Sequence, residues 1–293
     1  MRVFVTGATG LVGSAVVAEL IGHGHTVLAL ARSEVAVTVA EAAGAQAIRG
    51  ALADLEILRA GAAETDGVIH LAFANDFSSA DALAKAIAEE TAALATFGEA
   101  LIGSGRPLVT VSGTPVIPGR PSTEADPALI EGPVGGRGRA VTAALGLASR
   151  GVRSSAIRLP RTVHNKGLGG FAGLLTNIAR QRGVAGYPGD GSQRWPAVHA
   201  LDAAALFRIA LERAESGTSW HAVADEGDKV RDIAAVIGRR LALPVESVAG
   251  ESFGPLGPIF MADQPSSSTY TQETLGWTPT HPSLLEDLEN IIP

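Results

Sequence analysis

A glycine-rich segment close to the first residue constrains this chain more than any other feature. Gly7-Ala8-Thr9-Gly10-Leu11-Val12-Gly13 follows an apolar stretch that predicts a strand and opens a stretch that predicts a helix. In such a turn Gly7 permits the sharp bend, Gly10 lets a pyrophosphate approach the backbone, and Gly13 lets helix and strand pack closely. The amide groups and dipole of the helix N-terminus then favour the phosphates. We therefore predict a dinucleotide site that contains Gly7, Thr9, Gly10, Leu11, Val12 and Gly13.

The first half of the chain alternates short β-branched runs with stretches rich in Ala and Leu. Strands are predicted at Val3–Thr6, Thr26–Ala31, Ala47–Arg49, Val68–Ala72, Leu108–Ser112 and Ser155–Leu159. Helices are predicted between them at Leu11–His23, Val35–Ala43, Leu55–Ala63, Ala80–Ser104 and Arg137–Ser149. This alternation is typical of right-handed βαβ units. The fold class is therefore α/β, a Rossmann-type, doubly wound parallel sheet.

The character of the chain changes after Leu159, where loops become rich in Gly and Pro. Helices are still predicted at Phe171–Arg182, Ala203–Glu215, Val230–Leu241 and Leu284–Ile291, with short strands at Trp220–Val223 and Val245–Val248. We predict that residues 1–160 form the dinucleotide-binding domain. Residues 161–293 are predicted to form a smaller α/β substrate-binding region, interleaved with the first.

The end of the second predicted strand bears on the choice between NAD and NADP. An NAD site usually carries Asp or Glu about 20 residues beyond the glycines, whereas this chain has Arg32 and Ser33 there. A guanidinium suits a 2′-phosphate and Ser33 can add a hydroxyl contact, which favours NADP(H) over NAD(H). A solvated Arg32 is the alternative interpretation, and Glu34 next to it weakens the preference.

Two further segments fall where the cofactor is expected. Asp54 and Leu55, after the third strand, fit a contact with the adenine edge, although Asp54 could equally be the N-cap of the next helix. His70, Leu71, Ala72 and Phe73, at the end of the fourth strand, fit the wall of a ribose pocket.

The ordered set of motifs resembles the extended short-chain dehydrogenases/reductases of the NAD-dependent epimerase/dehydratase superfamily. The similar features span the whole chain: the glycine motif, Val68-Ile-His-Leu-Ala72, Ser112, Arg158-Leu-Pro160, Arg194-Trp-Pro-Ala-Val-His-Ala-Leu-Asp202 and Leu275-Gly-Trp-Thr-Pro279. Within that superfamily the chain is most similar to an atypical subgroup without the usual active-site pair. The resemblance also implies that Pro160 borders the cofactor.

Ordinary members of that family carry a Tyr-x-x-x-Lys pair on the fifth helix, and this sequence does not. Its only tyrosines, Tyr187 and Tyr270, are followed four residues later by Gly and Thr. Aligning the helix with the family places Arg139 at the Lys position, where it could keep the ribose contact but could not act as an acid. A surface arginine is the alternative.

Four residues are therefore candidates for catalysis: Arg139, Ser112, Thr114 and His164. Ser112 corresponds to the hydroxyl that orients substrate in the family, and Thr114 follows it at the strand end, where α/β sheets bind ligands. Both could instead stabilise the loop. His164 lies in a loop expected to border the nicotinamide and could donate a proton near neutral pH, or it could be structural.

Three residues of the second half are candidates for contact with substrate. Arg194 falls where sugar-nucleotide enzymes bind substrate phosphate, but Trp195 beside it would make the pocket more apolar, so a sugar nucleotide is not expected. Tyr187 is predicted in a loop that could fold over the pocket.

Composition excludes several other classes of function. The net charge of −7 gives no reason to expect nucleic acid or an anionic membrane as partner. No apolar run is long enough for a membrane span. Cysteine is absent and no cluster has metal-ligand spacing. We expect a cytoplasmic protein, without a metal, whose Ala-rich fourth and fifth helices could pair two subunits in a homodimer or pack within one chain.

The leading hypothesis is an NADP(H)-dependent oxidoreductase that reduces a carbonyl or conjugated group of a small, fairly apolar substrate. The missing Tyr and Lys support a different class, a redox-sensing or regulatory NADP-binding protein without chemistry. Epimerase or dehydratase chemistry with a tightly held cofactor is a third alternative. Because loops of the second half set specificity, the sequence does not identify the substrate.

Overall fold

The structure is a computed structural model that describes residues 1–74 and 79–291. Within these ranges the chain forms two compact units. The first contains Met1–Ser112, Pro127–Arg158 and Ala204–Trp220. The second contains Gly113–Asp126, Leu159–Ala203 and the described residues from His221 onward. The division at residue 160 into two interleaved domains stays a prediction.

The strands lie in three sheets. They are β1 (Arg2–Thr6), β2 (Thr26–Ala31), β3 (Gln46–Arg49), β4 (Gly67–His70), β5 (Pro107–Gly113), β6 (Arg153–Leu159), β7 (Thr162–His164), β8 (Ala185–Pro188), β9 (Arg194–His199), β10 (Thr218–His221), β11 (Asp225–Lys229) and β12 (Val245–Val248). The central sheet has seven strands in the order β10-β6-β5-β4-β1-β2-β3. The register is parallel between β1 and both β2 and β4, between β2 and β3, and between β4 and β5. This confirms the predicted doubly wound sheet.

The helices alternate with these strands through the first unit and continue in the second. They are α1 (Leu11–Gly22), α2 (Glu34–Ala42), α3 (Leu55–Ala63), α4 (Ala80–Leu101), α5 (Gly135–Gly146), α6 (Gly170–Arg182), α7 (Ala200–Arg213), α8 (Val230–Leu241), α9 (Gly257–Met261), α10 (Thr269–Leu275) and α11 (Leu284–Leu288). Two 3₁₀ segments cover Leu147–Arg150 and Gly250–Leu256.

The core of the first unit lies on the central sheet. Val3, Phe4 and Val5 of β1 are all completely buried although neighbouring residues of a strand point to opposite faces. Both faces of the sheet are therefore covered, as near-continuous apolar strands require. On one face Phe4 packs in a cluster with Phe97 and Leu101 of α4.

The second unit has its own core between α6, α8 and the sheet β11-β9-β7. In it Trp195 of β9 packs edge-to-face on Phe171 and on Phe260, with ring centroids 6.2 and 5.1 Å apart. A separate pair of parallel strands, β12 and β8, continues this unit. Trp195 is thus part of the packing that holds β9 in place.

The strands that the sequence did not predict all involve the second unit. The segment around Tyr187 was predicted as a loop because of its Gly and Pro residues, but Tyr187 lies in β8 and pairs with Ser247 of β12. That expectation was wrong. Its partner strand, β12, is about 60 residues away in sequence, so the local sequence pattern does not predict β8.

Candidate functional site

The point where the strand order reverses lies at β1, which has β2 on one side and β4 on the other. Ligands of open α/β sheets bind outside the carboxyl ends of the strands at such a point. The glycine segment leaves β1 there and enters α1, whose N-cap is Gly10 with φ −77° and ψ 173°. Gly10 has no side chain to cap the helix, so the first amide groups of α1 are free for a ligand with anionic oxygens.

The three glycines of this turn are constrained in different ways. Gly7 has φ +71°, and a Cβ on it would lie 2.8 Å from the backbone nitrogen of Ala72. A Cβ on Gly13 would lie 2.0 Å from the carbonyl oxygen of Gly7. A Cβ on Gly10 would meet only that same carbonyl oxygen, at 3.5 Å, an ordinary contact. The turn and the close packing therefore require Gly7 and Gly13, whereas the space beside Gly10 remains open to a ligand.

A buried Thr–His pair joins the ends of β1 and β4 beneath this turn. The hydroxyl of Thr6 accepts from the backbone amides of Leu71 and Ala72, both at 3.2 Å. It bonds to Nδ1 of His70 at 2.8 Å, so its own proton is donated to that nitrogen. Burial, with the charge of Arg137, lowers the pKa of His70 to about 3. His70 is therefore neutral, and the pair fixes Leu71 and Ala72, a role that sequence analysis did not assign to Thr6 or His70.

The end of β2 presents Arg32 to solvent. The side chain of Glu34 pairs with Arg49, which lies opposite Ala31 at the end of β3. Over residues 1–74 and 79–291, Arg32 itself has no carboxylate partner. Ser33 caps α2 by accepting from the backbone amide of Ala36 at 3.2 Å. Glu34 thus compensates Arg49 rather than Arg32, which leaves the Arg32 guanidinium available.

Asp54 and Leu55 lie where β3 leads into α3. Asp54 occupies the N-cap position of α3, but its carboxylate does not cap the helix. It accepts instead from the backbone amide of Ala51, at 2.7 Å, and stays exposed. Among the described residues no donor reaches its second carboxylate oxygen, and the adenine contact remains a prediction.

An arginine–glutamate ion pair lies next to Phe73, at the segment that follows β4. The guanidinium of Arg137 stacks on the Phe73 ring, 3.8 Å from its centroid. It also donates from two nitrogens to the carboxylate of Glu90, each at 2.8 Å, and the Glu90 side chain is fully buried. Arg139, by contrast, is exposed and donates to the carbonyl of Ile130. The α5 arginine beside Phe73 is therefore Arg137 rather than Arg139.

Ser112 and Thr114 lie on either side of the last residue of β5. Ser112 is half-buried in β5. Thr114 is buried, its backbone amide donates to the carbonyl of Leu159, and its carbonyl and hydroxyl accept from the amide of Gln264 at 2.6 and 3.3 Å. These contacts give Thr114 a structural role and leave Ser112 as the better candidate for contact with substrate. Pro160, after Leu159, is buried.

His164 belongs to a cluster of three imidazoles in the second unit. It is 1% exposed, and its Nδ1 lies 2.8 Å from the carboxylate of Asp287. The His199 ring is perpendicular to it at 5.4 Å and stacks on His281 at 4.9 Å. Burial together with the two neighbouring imidazoles lowers the pKa of His199. His164 lies in β7 rather than in the predicted loop, and its burial and pairing with Asp287 favour the structural alternative.

Arg194, Trp195 and Tyr187 have unequal access to ligands. Arg194 donates through two nitrogens to the carboxylate of Asp263, at 3.1 and 2.8 Å, and its charge is thereby matched. The two side chains line an open depression of about 500 Å³. Trp195 is 0% exposed in the core, so the expectation that it makes a pocket apolar is not supported. Tyr187 is half-buried against the same core.

Neither a metal cluster nor a membrane helix is found in the described part of the chain. No group of three or more His, Asp or Glu side chains there could hold a metal ion. None of the helices described combines the length and the apolar character needed to cross a bilayer.

The comparisons with known proteins agree with this geometry. Residues 3–133 match the model of the NAD dependent epimerase/dehydratase family. An uncharacterised protein of Schizosaccharomyces pombe is 44% identical over 98% of both chains. A 4-hydroxy-2-methyl-3-oxo-4-farnesyl-3,4-dihydroquinoline-1-oxide ketoreductase of Stigmatella aurantiaca is 35% identical over 41% of this chain and 40% of its own. The chain belongs to the NAD-dependent epimerase/dehydratase family.

Solved structures share the fold over the whole length. A UDP-glucose-4-epimerase of Stenotrophomonas maltophila, solved with bound NAD and formylated UDP-arabinopyranose, superposes with a TM-score of 0.79. The alignment covers 99% of this chain and 96% of the epimerase at 19% identity. At that identity the similarity establishes the fold.

Proposed function

We propose that this protein is an NADP(H)-dependent oxidoreductase that reduces a carbonyl or conjugated group of a small, fairly apolar substrate. The observation that carries the proposal is the open space beside Gly10 at the uncapped N-terminus of α1, since nothing in the chain's own packing requires it. The membership of the family and the partial similarity to a ketoreductase support the same class of chemistry.

The residues present fit a dinucleotide. The amides of Leu11, Val12 and Gly13 would hold the pyrophosphate, and the exposed Arg32 would bind a 2′-phosphate. Asp54 would contact the adenine and the segment Leu71–Phe73 the ribose. When bound, NADPH supplies a hydride to an electrophilic carbon. Arg137, stacked on Phe73 and paired with Glu90, would hold the Phe73 ring in place at this end of the sheet.

The chain's own contribution at the substrate would be modest. Ser112 would orient the substrate oxygen by a hydrogen bond, and water would supply the proton, because His164 is buried and held by Asp287. A positioned acid typically contributes 10²- to 10⁴-fold. We therefore expect turnover to be slow unless the substrate carbonyl is strongly activated.

The first test is a titration of the purified protein with NADPH and NADH, followed by the fluorescence of the nucleotide. The wild type should bind NADPH about tenfold to a hundredfold more tightly, as a charge-assisted hydrogen bond to the 2′-phosphate allows. Arg32→Ala should lose this preference without a change in NADH affinity, while Arg150→Ala, an exposed arginine outside the site, should keep it. Equal affinities in the wild type would contradict NADP specificity.

A panel of aldehydes, ketones, imines and enones then tests the reaction. Oxidation of NADPH with at least one compound, reduced in Ser112→Ala, would support a reductase. Tight NADPH binding without turnover on any compound would instead favour the redox-sensing class, whose support is the missing Tyr and Lys.

A further inference from the structure

Arg161, in the second unit, is an arginine whose positive charge has no carboxylate partner among the described residues. It follows Pro160 at the turn between β6 and β7 and is half-buried. Within the described ranges no carboxylate lies within ion-pair distance of it. Burial lowers the pKa of Arg161 to about 10, so the guanidinium still carries its charge at neutral pH. Partial burial of a cation without a counter-ion is unfavourable.

The contacts of Arg161 hold the side chain but do not neutralise it. Its Nη1 donates to the carbonyl of Ile259 at 2.7 Å, and its Nη2 donates to the side-chain oxygen of Gln264. The guanidinium carbon lies 5.2 Å from the centroid of Phe171 and 5.6 Å from that of Trp195. All of these partners are neutral. Ile259 belongs to α9, which has only five residues, so the helix dipole offers little compensation.

Several other half-buried arginines are compensated in one of two ways. Arg106 and Arg153 each donate to several backbone carbonyls near helix ends, and two more have carboxylate partners. Arg137 pairs with Glu90, and Arg208 pairs with Glu19 at 2.8 Å.

In the second unit the nearby carboxylate of Asp263, adjacent to Gln264 in sequence, is fully engaged by Arg194 and lies at 2.7 Å from the Arg194 backbone amide. Hydrogen bonding to Arg194 keeps the pKa of Asp263 below its usual value. Within the described ranges, Arg194 at the depression thus has a carboxylate partner, whereas Arg161 at the β6–β7 turn, like Arg240 on α8, has only neutral partners.

Gln264 connects Arg161 to the end of β5. Its amide nitrogen donates to the carbonyl and hydroxyl of Thr114, while its oxygen accepts from Arg161. Arg161 thus lies two residues beyond the carboxyl end of β6 and one side chain away from the residue that follows β5. The carboxyl ends of parallel strands are where α/β proteins bind ligands.

We propose that Arg161 recognises an anionic oxygen group, a carboxylate or a phosphate, on the substrate. This rests on the proposed function only in calling the ligand a substrate. The guanidinium retains unused N–H donors, and its planar fork suits a carboxylate or a phosphate. The anion would supply the counter-charge that the chain does not, and the apolar part of the substrate would extend from it. Anion recognition thereby falls to Arg161 rather than to Arg194, whose charge is matched by Asp263.

The test measures binding without turnover, by isothermal titration of benzoate, phenyl phosphate and the neutral benzamide into the full chain, with and without NADPH. At least one of the two anions should bind about tenfold to a hundredfold more tightly than benzamide, and the stronger one identifies the group. Arg161→Gln should reduce the affinity for that anion to the level of benzamide. Arg150→Gln, the same charge change at an exposed site, should not alter it.

Equal binding of the anions and benzamide by the wild type, or undiminished anion binding by Arg161→Gln, would overturn the proposal. If Arg161→Gln does not fold, the same titrations are made with Arg161→Lys. A remaining anion preference at lower affinity supports the site, and anion affinity equal to that of benzamide contradicts it. NADPH affinity is measured in the same samples, so a protein that binds anions through Arg161 but neither binds NADPH nor turns over would refute the proposed function alone.

Discussion

Gly13 and Gly22 both lie on α1, but only Gly13 lacks space for a side chain, so Gly22 serves as a control for substitution of Gly13. A Cβ on Gly13 would overlap the Gly7 carbonyl, whereas Gly22, the last residue of α1, has nothing within 4 Å of that position. Gly13→Ala should lower the free energy of unfolding by about 1–3 kcal/mol or more, as overpacking does. Gly22→Ala should leave it unchanged or raise it by up to about 1 kcal/mol. Urea denaturation of both variants checks this, and equal effects would contradict the packing role of Gly13.

A substitution at Gly10 should affect nucleotide binding much more than stability. Because a Cβ there makes only an ordinary contact within the chain, Gly10→Ala should cost at most about 1 kcal/mol of stability, the scale of an N-cap change. Its NADPH affinity should nevertheless fall at least tenfold, since the methyl group would occupy the space beside the helix N-terminus. Denaturation and nucleotide titration on the same preparation measure both. Unchanged affinity would show that no phosphate approaches Gly10.

The role of a residue could be predicted where the backbone conformation requires it. It could not be predicted where the role depends on a contact with a residue distant in sequence. The roles of Gly7 and Gly13 in the turn and the packing follow from their spacing and are observed. Arg137 could not be chosen over Arg139, because its partner Glu90 lies on another helix. Trp195 was predicted to line the pocket because it follows Arg194. Its burial could not be predicted, because its aromatic partners Phe171 and Phe260 come from other segments of the chain.

At the scale of elements, the ion pair between Glu90 and Arg137 links α4 to α5. Glu90 is completely buried, so removal of its partner leaves an uncompensated carboxylate. Arg137→Met should therefore lower the free energy of unfolding by about 3 kcal/mol. The double variant Glu90→Leu with Arg137→Met should recover most of that loss, because an apolar pair has no charge to desolvate. A double variant that is as unstable as the single one would contradict this account.

Elements of the first unit were predicted almost completely, because β1, β2, β4 and β5 are largely apolar runs that alternate with helices. The observed β2 coincides with the prediction at Thr26–Ala31, and α3 does so at Leu55–Ala63. The fourth strand ends at His70 instead of Ala72, since the hydroxyl of Thr6 takes over the amides of the next two residues. The strands β7, β8, β9 and β11 were not predicted, because each of them pairs with strands that are distant in sequence.

At the scale of the whole molecule, buried titratable groups set how stability depends on pH. The pKa of His70 is about 3 in the folded chain and about 6.5 in an unfolded one, so the unfolded state takes up the proton first as pH falls. The free energy of unfolding should therefore fall below about pH 6.5, by up to about 1.4 kcal/mol per pH unit for this one group. The lowered pKa of His199 acts in the same direction.

Asp228 acts in the opposite direction. Burial and the neighbouring charges of Asp225 and Asp232 raise the pKa of Asp228 to about 6, so the folded state binds its proton first and gains stability as pH falls from 6 toward 4. The two contributions partly cancel in the wild type. A pH profile of the wild type alone would therefore understate both of them, and only substitution of each group can separate them.

Urea denaturation at pH 8, 6.5, 5.5 and 4.5 should resolve the two contributions. His70→Asn keeps an acceptor for the Thr6 hydroxyl but does not titrate, so its deficit relative to the wild type should be greatest at pH 8 and shrink at lower pH. Asp228→Asn removes a poorly solvated charge and should be more stable than the wild type by about 1 kcal/mol at pH 8, with the gain shrinking below pH 6 and vanishing near pH 4. Profiles that run parallel to the wild type in both variants would show that neither group changes protonation on folding.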